Sequence, residues 1–571
     1  MKKYTEKLAL ISSLAIIFFI GFLSINDKSM TWDEACYIGV GKYIFKTGNF
    51  KINALAYHPI LSFYINSIFL TPFKFGEEIY LNDNCWQNGY NMVYHSEYDP
   101  KLLLILARLP FIIISMIFAL YVYYWSKQLY GLKSGLLALV LYTFNTSILS
   151  QSNLALTDFT ATFFIFVTMY YYWKYVALNQ KKYLYITSIF FGLSLMSKLT
   201  GLILIPVLSI LIIYDLFKRK LNSKNLFSGI KKIFIIFIVG FLIIFAGYGF
   251  QFGTLKSAMP EHYVNRAYEE FGKHIGSDTL RKYAIYFFEK THLPSPSYFF
   301  DIGYLALQAN TGIGGRFIDG KFFTKPPWFY PIKVLLYKTE VSLIILTVLS
   351  IVFFKKIMSR KIVDEYVQIL PVLVVFILFT ILNNAAGLRH ILPLYPFLFV
   401  FCSKLARLKK IWLNIVIIIL IAHYIINSLL IFPHYLAYFN EIVGGPANGY
   451  KHLVGSDLDI GQDLPGLKLF MEENKIDKIN LSYFGSIDPK EYVNYDYLPS
   501  PYFQQWVPDF VQYVTLTERY EDCSEKKGWV AISVTNLQNM RMVNKTCFNW
   551  MKKYEPVAKI GYSIFVYNIS N

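Results

Sequence analysis

The chain has 571 residues, of which 55% are hydrophobic, 18% aromatic and 16% charged, with a mean hydropathy of +0.40. So much apolar surface exceeds what one soluble core can hide, which excludes an ordinary soluble enzyme or a disordered chain and predicts an integral membrane protein. The formal charge of +18 would suit a nucleic-acid binder, yet Lys and Arg fall in the short gaps between apolar runs rather than on one face, so the charge reports topology instead.

In chain order, apolar runs occupy residues 8–25, 102–125, 134–150, 157–176, 183–197, 199–214, 233–250, 335–354, 364–383, 390–406 and 411–432. They predict about eleven transmembrane helices of roughly 15 to 24 residues each. With Lys2, Lys3 and Lys7 inside, strict alternation leaves five inside gaps. These hold Lys127 and Lys133; Lys174, Lys181 and Lys182; Lys218, Arg219, Lys220, Lys224, Lys231 and Lys232; Lys355, Lys356, Arg360 and Lys361; and Lys404, Arg407, Lys409 and Lys410. That is the positive-inside pattern without a break. The first run could pass for the apolar core of a signal peptide, but no small-residue cleavage site follows it and ten more runs do, so it is expected to be a retained anchor.

This topology divides the chain into a transmembrane part, 1–432, with external loops 26–101 and 251–334, and an external soluble part, 433–571. Within the first loop, Ile60 to Phe69 has an amphipathic pattern expected to lie along the membrane surface. In the soluble part, Lys478 to Phe484, Trp529 to Val534 and Ser563 to Tyr567 alternate as strands do, and Leu464 to Glu473 reads as a helix, which predicts a small α/β domain.

The candidate chemistry gathers on the outer face. Thr31-Trp32-Asp33-Glu34 places two carboxylates just beyond the first span, where a reaction on a lipid-borne substrate needs a base. Lys198, and Arg389 with His390, are cations on the face that the charge rule leaves poor in cations. A lipid phosphate would explain them, because guanidinium pairs bidentately with phosphate and lysine adds a point charge; snorkelling or an interhelical ion pair is the structural alternative. Asp158 opens the fourth span, as a helix N-cap or as a third element of the site. His58, before Pro59, reads as a structural or interface histidine. No cluster has metal-ligand spacing, and the acidic run Asp457, Asp459 and Asp463 lacks the glycine and terminal glutamate of a calcium loop, so it reads as a turn-rich segment docking the soluble domain onto the membrane part. Trp328, Phe329 and Tyr330 precede a span and fit an interfacial belt, or alternatively rings that stack on a sugar.

These motifs together resemble the GT-C type of integral membrane glycosyltransferase, in particular the protein O-mannosyltransferase and aminoarabinose transferase relatives. The matching stretches are Trp32-Asp33-Glu34 with Tyr37, His58-Pro59, Ala107-Arg108-Leu109-Pro110, Leu154-Ala155-Leu156-Thr157-Asp158 and Met196-Ser197-Lys198. Further on come Leu293 to Tyr298, Trp328-Phe329-Tyr330-Pro331, Leu388 to Pro393, Tyr438 to Glu441 and Ser456 to Asp463. The chain departs from the pattern at Ile60, where relatives often carry a second proline, and at Ile460, where they carry a tryptophan.

The resemblance implies a sugar carried on a polyprenyl phosphate and transferred to an acceptor hydroxyl. It makes Asp33 the general base, with Glu34 supporting it and Asp158 helping to position acceptor or sugar. Lys198, Arg389, His390, His58, Tyr37 and Arg108 would bind the donor. One base suffices for the acceptor proton, and the departing lipid phosphate needs cations rather than an acid. No cofactor is firmly implied, and a divalent metal ion is left open. Expected partners are the lipid-linked donor, a protein Ser/Thr or a lipid or glycan acceptor, and membrane lipids, not nucleic acid. The expected location is a bacterial plasma membrane with chemistry on its external side. The rival readings are a flippase of polyprenyl-linked sugars, and a polymer ligase with a diphosphate carrier. Flippases of this kind usually place charged or helix-breaking residues at mid-membrane, whereas here the polar residues gather at one face. Cys36, Cys85, Cys523 and Cys547 fall outside, so an oxidising exterior permits Cys36–Cys85 and Cys523–Cys547 bridges; Cys402 lies within a span.

Overall fold

The computed structural model describes residues 2–50, 58–76, 85–218, 223–259, 261–311, 316–381, 387–500, 522–540, 542 and 544–570. Arg219 and Lys220, counted above among the inside cations, lie outside the described residues. Over its described residues each of the eleven apolar runs is largely helical, but they are unequal. Among the described residues six helices are long and apolar enough to cross a membrane, and two bent pairs, Leu132–Thr143 with Thr146–Ser152 and Tyr330–Lys338 with Val341–Val352, bring the number to eight. The expected eleven is therefore more than length and composition support, for two reasons. The helix Thr157–Leu178 and its successor Lys181–Ser197 bury hydroxyls such as Thr160, Thr162, Thr187 and Ser188 inside the protein, which dilutes their hydropathy. The run 390–406 is broken into Leu388–Ile391, Leu394–Ser403 and a 3-10 turn, with Pro393 at the first break.

Nine helices position the site. They are α1 (Lys2–Asn26), α2 (Trp32–Thr47), α3 (Leu61–Ser67), α4 (Cys85–Tyr94), α5 (Pro100–Tyr130), α6 (Thr157–Leu178), α7 (Lys181–Ser197), α8 (Tyr330–Lys338) and the short α9 (Leu388–Ile391). Helix α3 covers the stretch expected along the membrane surface, and it buries Ser62, Phe63, Asn66 and Ser67, leaving Ile68 and Phe69 just beyond it exposed. Helices α2 and α4 lie backbone to backbone: a Cβ on Gly89 would sit 1.6 Å from the Ala35 carbonyl oxygen, so only glycine permits the contact. A disulfide between Cys36 and Cys85 joins the same two helices, a second joins Cys523 to Cys547, and Cys402 is a buried free thiol.

Strands β1 (Phe252–Gly253) and β2 (Leu293–Pro294) pair antiparallel, and β3 (Arg316–Ile318) and β4 (Lys321–Phe323) form a hairpin. The C-terminal part carries a five-stranded mixed sheet of order β6-β5-β7-β9-β8, from β5 (Ile479–Ser482), β6 (Tyr495–Tyr497), β7 (Gly528–Ser533), β8 (Ala558–Ile560) and β9 (Ile564–Ile569). The helix at Leu464–Glu473 is present as expected. Alternation along β7 explains the sheet's place, since Val530 and Ile532 share a core with the helical part while Ala531 packs with Leu464 and Leu467.

Candidate active site

Helix α2 starts where it does because Thr31 and Glu34 form a capping box: the Thr31 backbone N–H donates to Glu34 Oε2 at 2.9 Å. That start puts Asp33 in the first turn, where the helix terminus favours a carboxylate. Arg389, from α9, donates through Nη1 to Asp33 Oδ2 at 2.6 Å, and both side chains are about a fifth exposed, 23% and 22%. The pair is reachable from outside the fold.

A second ion pair lies beside it. Lys198 sits in extended backbone at the break after α7, and its Nζ donates to Asp158 Oδ1 at 2.5 Å. The N-cap of α6 is Leu156, with no side-chain capping bond, so Asp158 faces Lys198 rather than capping its helix. Tyr37, one turn after Asp33, meets the His58 ring edge-on at 5.8 Å and packs on Phe63 at 5.0 Å. His390 lies against Phe379 at 5.3 Å, close enough to Lys198, Arg389 and Arg316 for their charges to act on it. Among the described residues, His58 Nδ1 and Arg389 Nε are buried polar atoms without a hydrogen-bond partner.

The charges are tuned by burial. Burial holds the His58 imidazole well below its ordinary range, and the Lys198 and Arg389 cations add to the effect, so His58 is neutral near pH 7. Burial also lowers the Lys198 ammonium, against the opposing pull of Asp158.

Arg108, expected to bind the donor, and Glu34, expected to support Asp33, are paired with each other. Arg108 is fully buried and donates from Nε and Nη2 to the two oxygens of Glu34, at 2.9 and 2.6 Å, and from Nη1 and Nη2 to the carbonyls of Ile25, Lys28 and Ser29. All five guanidinium hydrogens are thereby used, so Arg108 has none for a donor phosphate. Glu34 accepts in addition from Ala155 N at 2.8 Å and Thr31 Oγ1 at 2.9 Å. Burial raises the Glu34 carboxyl, but Arg108 more than reverses this and holds it below its ordinary value. This pair ties α2 to α5 and to the start of α6.

Arg316 was not singled out in the sequence, and the contacts of Tyr330 and Trp32 were not legible from it. Arg316, at the start of β3, lies over the Tyr330 ring at 5.9 Å, and nothing in the surrounding Gly-rich sequence marks it. Tyr330, read as part of an interfacial belt, is buried and donates to Asp457 Oδ2 at 2.6 Å, whereas its neighbour Trp328 is 61% exposed. Trp32 stacks on Phe484 at 5.8 Å, which brings the C-terminal sheet against the start of α2.

The three acids of the late acidic run do not converge. Asp457 accepts from Tyr330 and from Leu388 N at 2.7 Å, Asp459 accepts from Thr535 N at 3.2 Å, and Asp463 accepts from Lys28 and from Ser563 Oγ at 2.5 Å. Asp457 and Asp463 fasten the C-terminal part to residues of the helical part, whereas Asp459 bonds within the C-terminal part itself. Burial pushes the Asp459 carboxyl from its ordinary 3.8 up to about 7. An unfolded chain ionises this group at the lower value, so stability is expected to fall as pH rises from about 4 to about 7 and to level off above, a loss of roughly 4 kcal/mol. Thermal midpoints of the wild type and Asp459→Asn across that range check this: the variant should lack that part of the slope, and parallel curves would refute the assignment.

Residues 77–254 match the family model of dolichyl-phosphate-mannose-protein mannosyltransferases. Among solved structures, ArnT from Cupriavidus metallidurans in the apo state is similar at 10% identity, with 97% of each chain covered and a TM-score of 0.45. The same protein bound to undecaprenyl phosphate matches at 12% identity, with 97% of each chain covered and a TM-score of 0.46. The archaeal oligosaccharyltransferase AglB from Archaeoglobus fulgidus, in complex with an inhibitory peptide and a dolichol-phosphate, matches at 12% identity over 97% of this chain and 73% of its own, with a TM-score of 0.47. No curated protein matches the chain. Apolar helices, an accessible acid among cations and the family match agree: the chain is a multi-pass membrane glycosyltransferase, similar over residues 77–254 to the dolichyl-phosphate-mannose-protein mannosyltransferases.

Proposed function

We propose that this glycosyltransferase moves a sugar from a polyprenyl-phosphate carrier to an acceptor hydroxyl at the outer face of the membrane, with inversion at the anomeric carbon. The acceptor oxygen bonds to the anomeric carbon as its proton passes to Asp33. The bond from that carbon to the phosphate oxygen breaks, its electron pair leaving with the lipid phosphate. Arg389 and Lys198 neutralise the leaving anion, His58 and His390 line the pocket as hydrogen-bonding groups, and Asp158 orients Lys198. Glu34 and Arg108 act through the placement of α2. The acceptor is a protein serine or threonine, a lipid or a glycan, and the setting is a bacterial plasma membrane with the site external.

The observation that carries this reading is the partly exposed Asp33–Arg389 pair, with Arg389 Nε and His58 Nδ1 buried and unpartnered beside it. A buried guanidinium nitrogen with no partner costs free energy unless a ligand supplies the acceptor. The test is purified protein in detergent with a polyprenyl-phosphate sugar and a panel of hydroxyl acceptors. Release of free lipid phosphate in step with acceptor glycosylation is expected. Movement of intact donor across a vesicle membrane without bond cleavage would overturn the reading in favour of a flippase.

A further inference from the structure

The acidic run from Asp457 to Asp463 is not used by the reaction above, yet it touches both halves of the site. On one side Asp457 Oδ1 accepts from Leu388 N at 2.7 Å, one residue before Arg389. Gly387 precedes that bond with φ +79°, and a Cβ there would lie 2.3 Å from Asp457 Oδ1, so the turn fits closely around this carboxylate. Asp457 Oδ2 accepts from Tyr330, the ring beneath Arg316. The Asp457 backbone carbonyl accepts from Lys338 Nζ at 2.7 Å, and the same ammonium donates to Leu436 O at 2.7 Å, which fixes the segment itself.

On the other side the same segment holds the start of α2. Trp32 N donates to Ile460 O at 3.0 Å, Ser29 N to Gln462 O at 3.1 Å and Ser29 Oγ to Gly461 O at 2.7 Å. These are backbone acceptors, so isoleucine at 460 serves as well as another residue would. One short stretch thus grips Trp32, next to Asp33, and Leu388, next to Arg389.

We propose that Asp457 is a positioning residue for the Asp33–Arg389 pair, a buried anion that sets where the guanidinium stands relative to the base without itself meeting substrate. The inference rests on the reading that Arg389 holds the donor phosphate. A backbone N–H held by a carboxylate is fixed more firmly than one held by a neutral acceptor, and a displacement near 1 Å at the reacting groups is costly.

The test measures affinity for a polyprenyl monophosphate and the transfer rate in five variants: Asp457→Ala, Asp457→Asn, Tyr330→Phe, Arg389→Ala and the double variant Asp457→Ala/Arg389→Ala. Asp457→Ala should weaken lipid-phosphate binding roughly tenfold. Asp457→Asn, which keeps an oxygen for Leu388 N, should recover most of it, and Tyr330→Phe should lose less than Asp457→Ala. The double variant should bind no worse than Arg389→Ala alone, because Asp457 acts through Arg389. If Asp457→Ala weakens binding by the same factor with and without Arg389, or if Asp457→Asn rescues nothing while remaining folded, the inference fails. If Arg389→Ala itself binds lipid phosphate normally, the underlying reading fails instead.

Discussion

Replacing Asp33 by Asn is expected to cut sugar transfer by roughly three orders of magnitude while leaving a folded, membrane-inserted protein. Asparagine keeps the shape and one oxygen for Arg389 Nη1, so the turn at the start of α2 survives. What disappears is the carboxylate proposed to take the acceptor proton. The pair is about a fifth exposed, and a partly exposed ion pair contributes little to stability, so the thermal midpoint should move by less than a few degrees. The measurement is lipid-phosphate release with a polyprenyl-phosphate sugar, read beside a thermal unfolding curve. Full activity in Asp33→Asn would end the assignment of the base.

The adjacent acid should behave in the opposite way. Arg108→Met leaves Glu34 as a buried carboxylate whose remaining partners are Thr31 and Ala155 N. Removing one member of a buried pair costs about 3–5 kcal/mol, because the other charge stays without its counter-ion. The expected result is poor recovery of folded protein and a large drop in thermal midpoint, with any molecules that fold still binding polyprenyl phosphate. If Arg108→Met were as stable as wild type and lost only donor binding, Arg108 would be a substrate ligand after all.

This contrast marks where sequence reasoning reached its limit. Asp33 and Glu34 are consecutive acids with the same apparent address, and no spacing separates a solvent-facing base from a buried anchor. Only the packing of α5 against α2 does so, by giving Glu34 a guanidinium with no hydrogen to spare. Lys198 and Arg389 were legible because they break the charge rule for their face, and the strands of the C-terminal sheet because their alternation is regular. Arg316 was not, and Asp457 was legible only as part of a docking run, since their place beside Arg389 depends on a hairpin and a turn brought together from distant parts of the chain. Length and composition support six to eight spans among the described residues, fewer than the eleven apolar runs, because helix Thr157–Leu178 carries buried hydroxyls that lower its hydropathy and the run 390–406 is broken.

The long reach of the bracket has a consequence for biogenesis. Asp33 and Arg389 are separated by 356 positions, and the segment that grips both neighbours follows later still. A nascent chain that has threaded only its first helices holds Asp33 but neither Arg389 nor the segment from Asp457 to Asp463. With the roles proposed above for Asp33, Arg389 and Asp457, transfer is expected only from chains made past the last apolar run, so truncated chains should release no lipid phosphate from the donor.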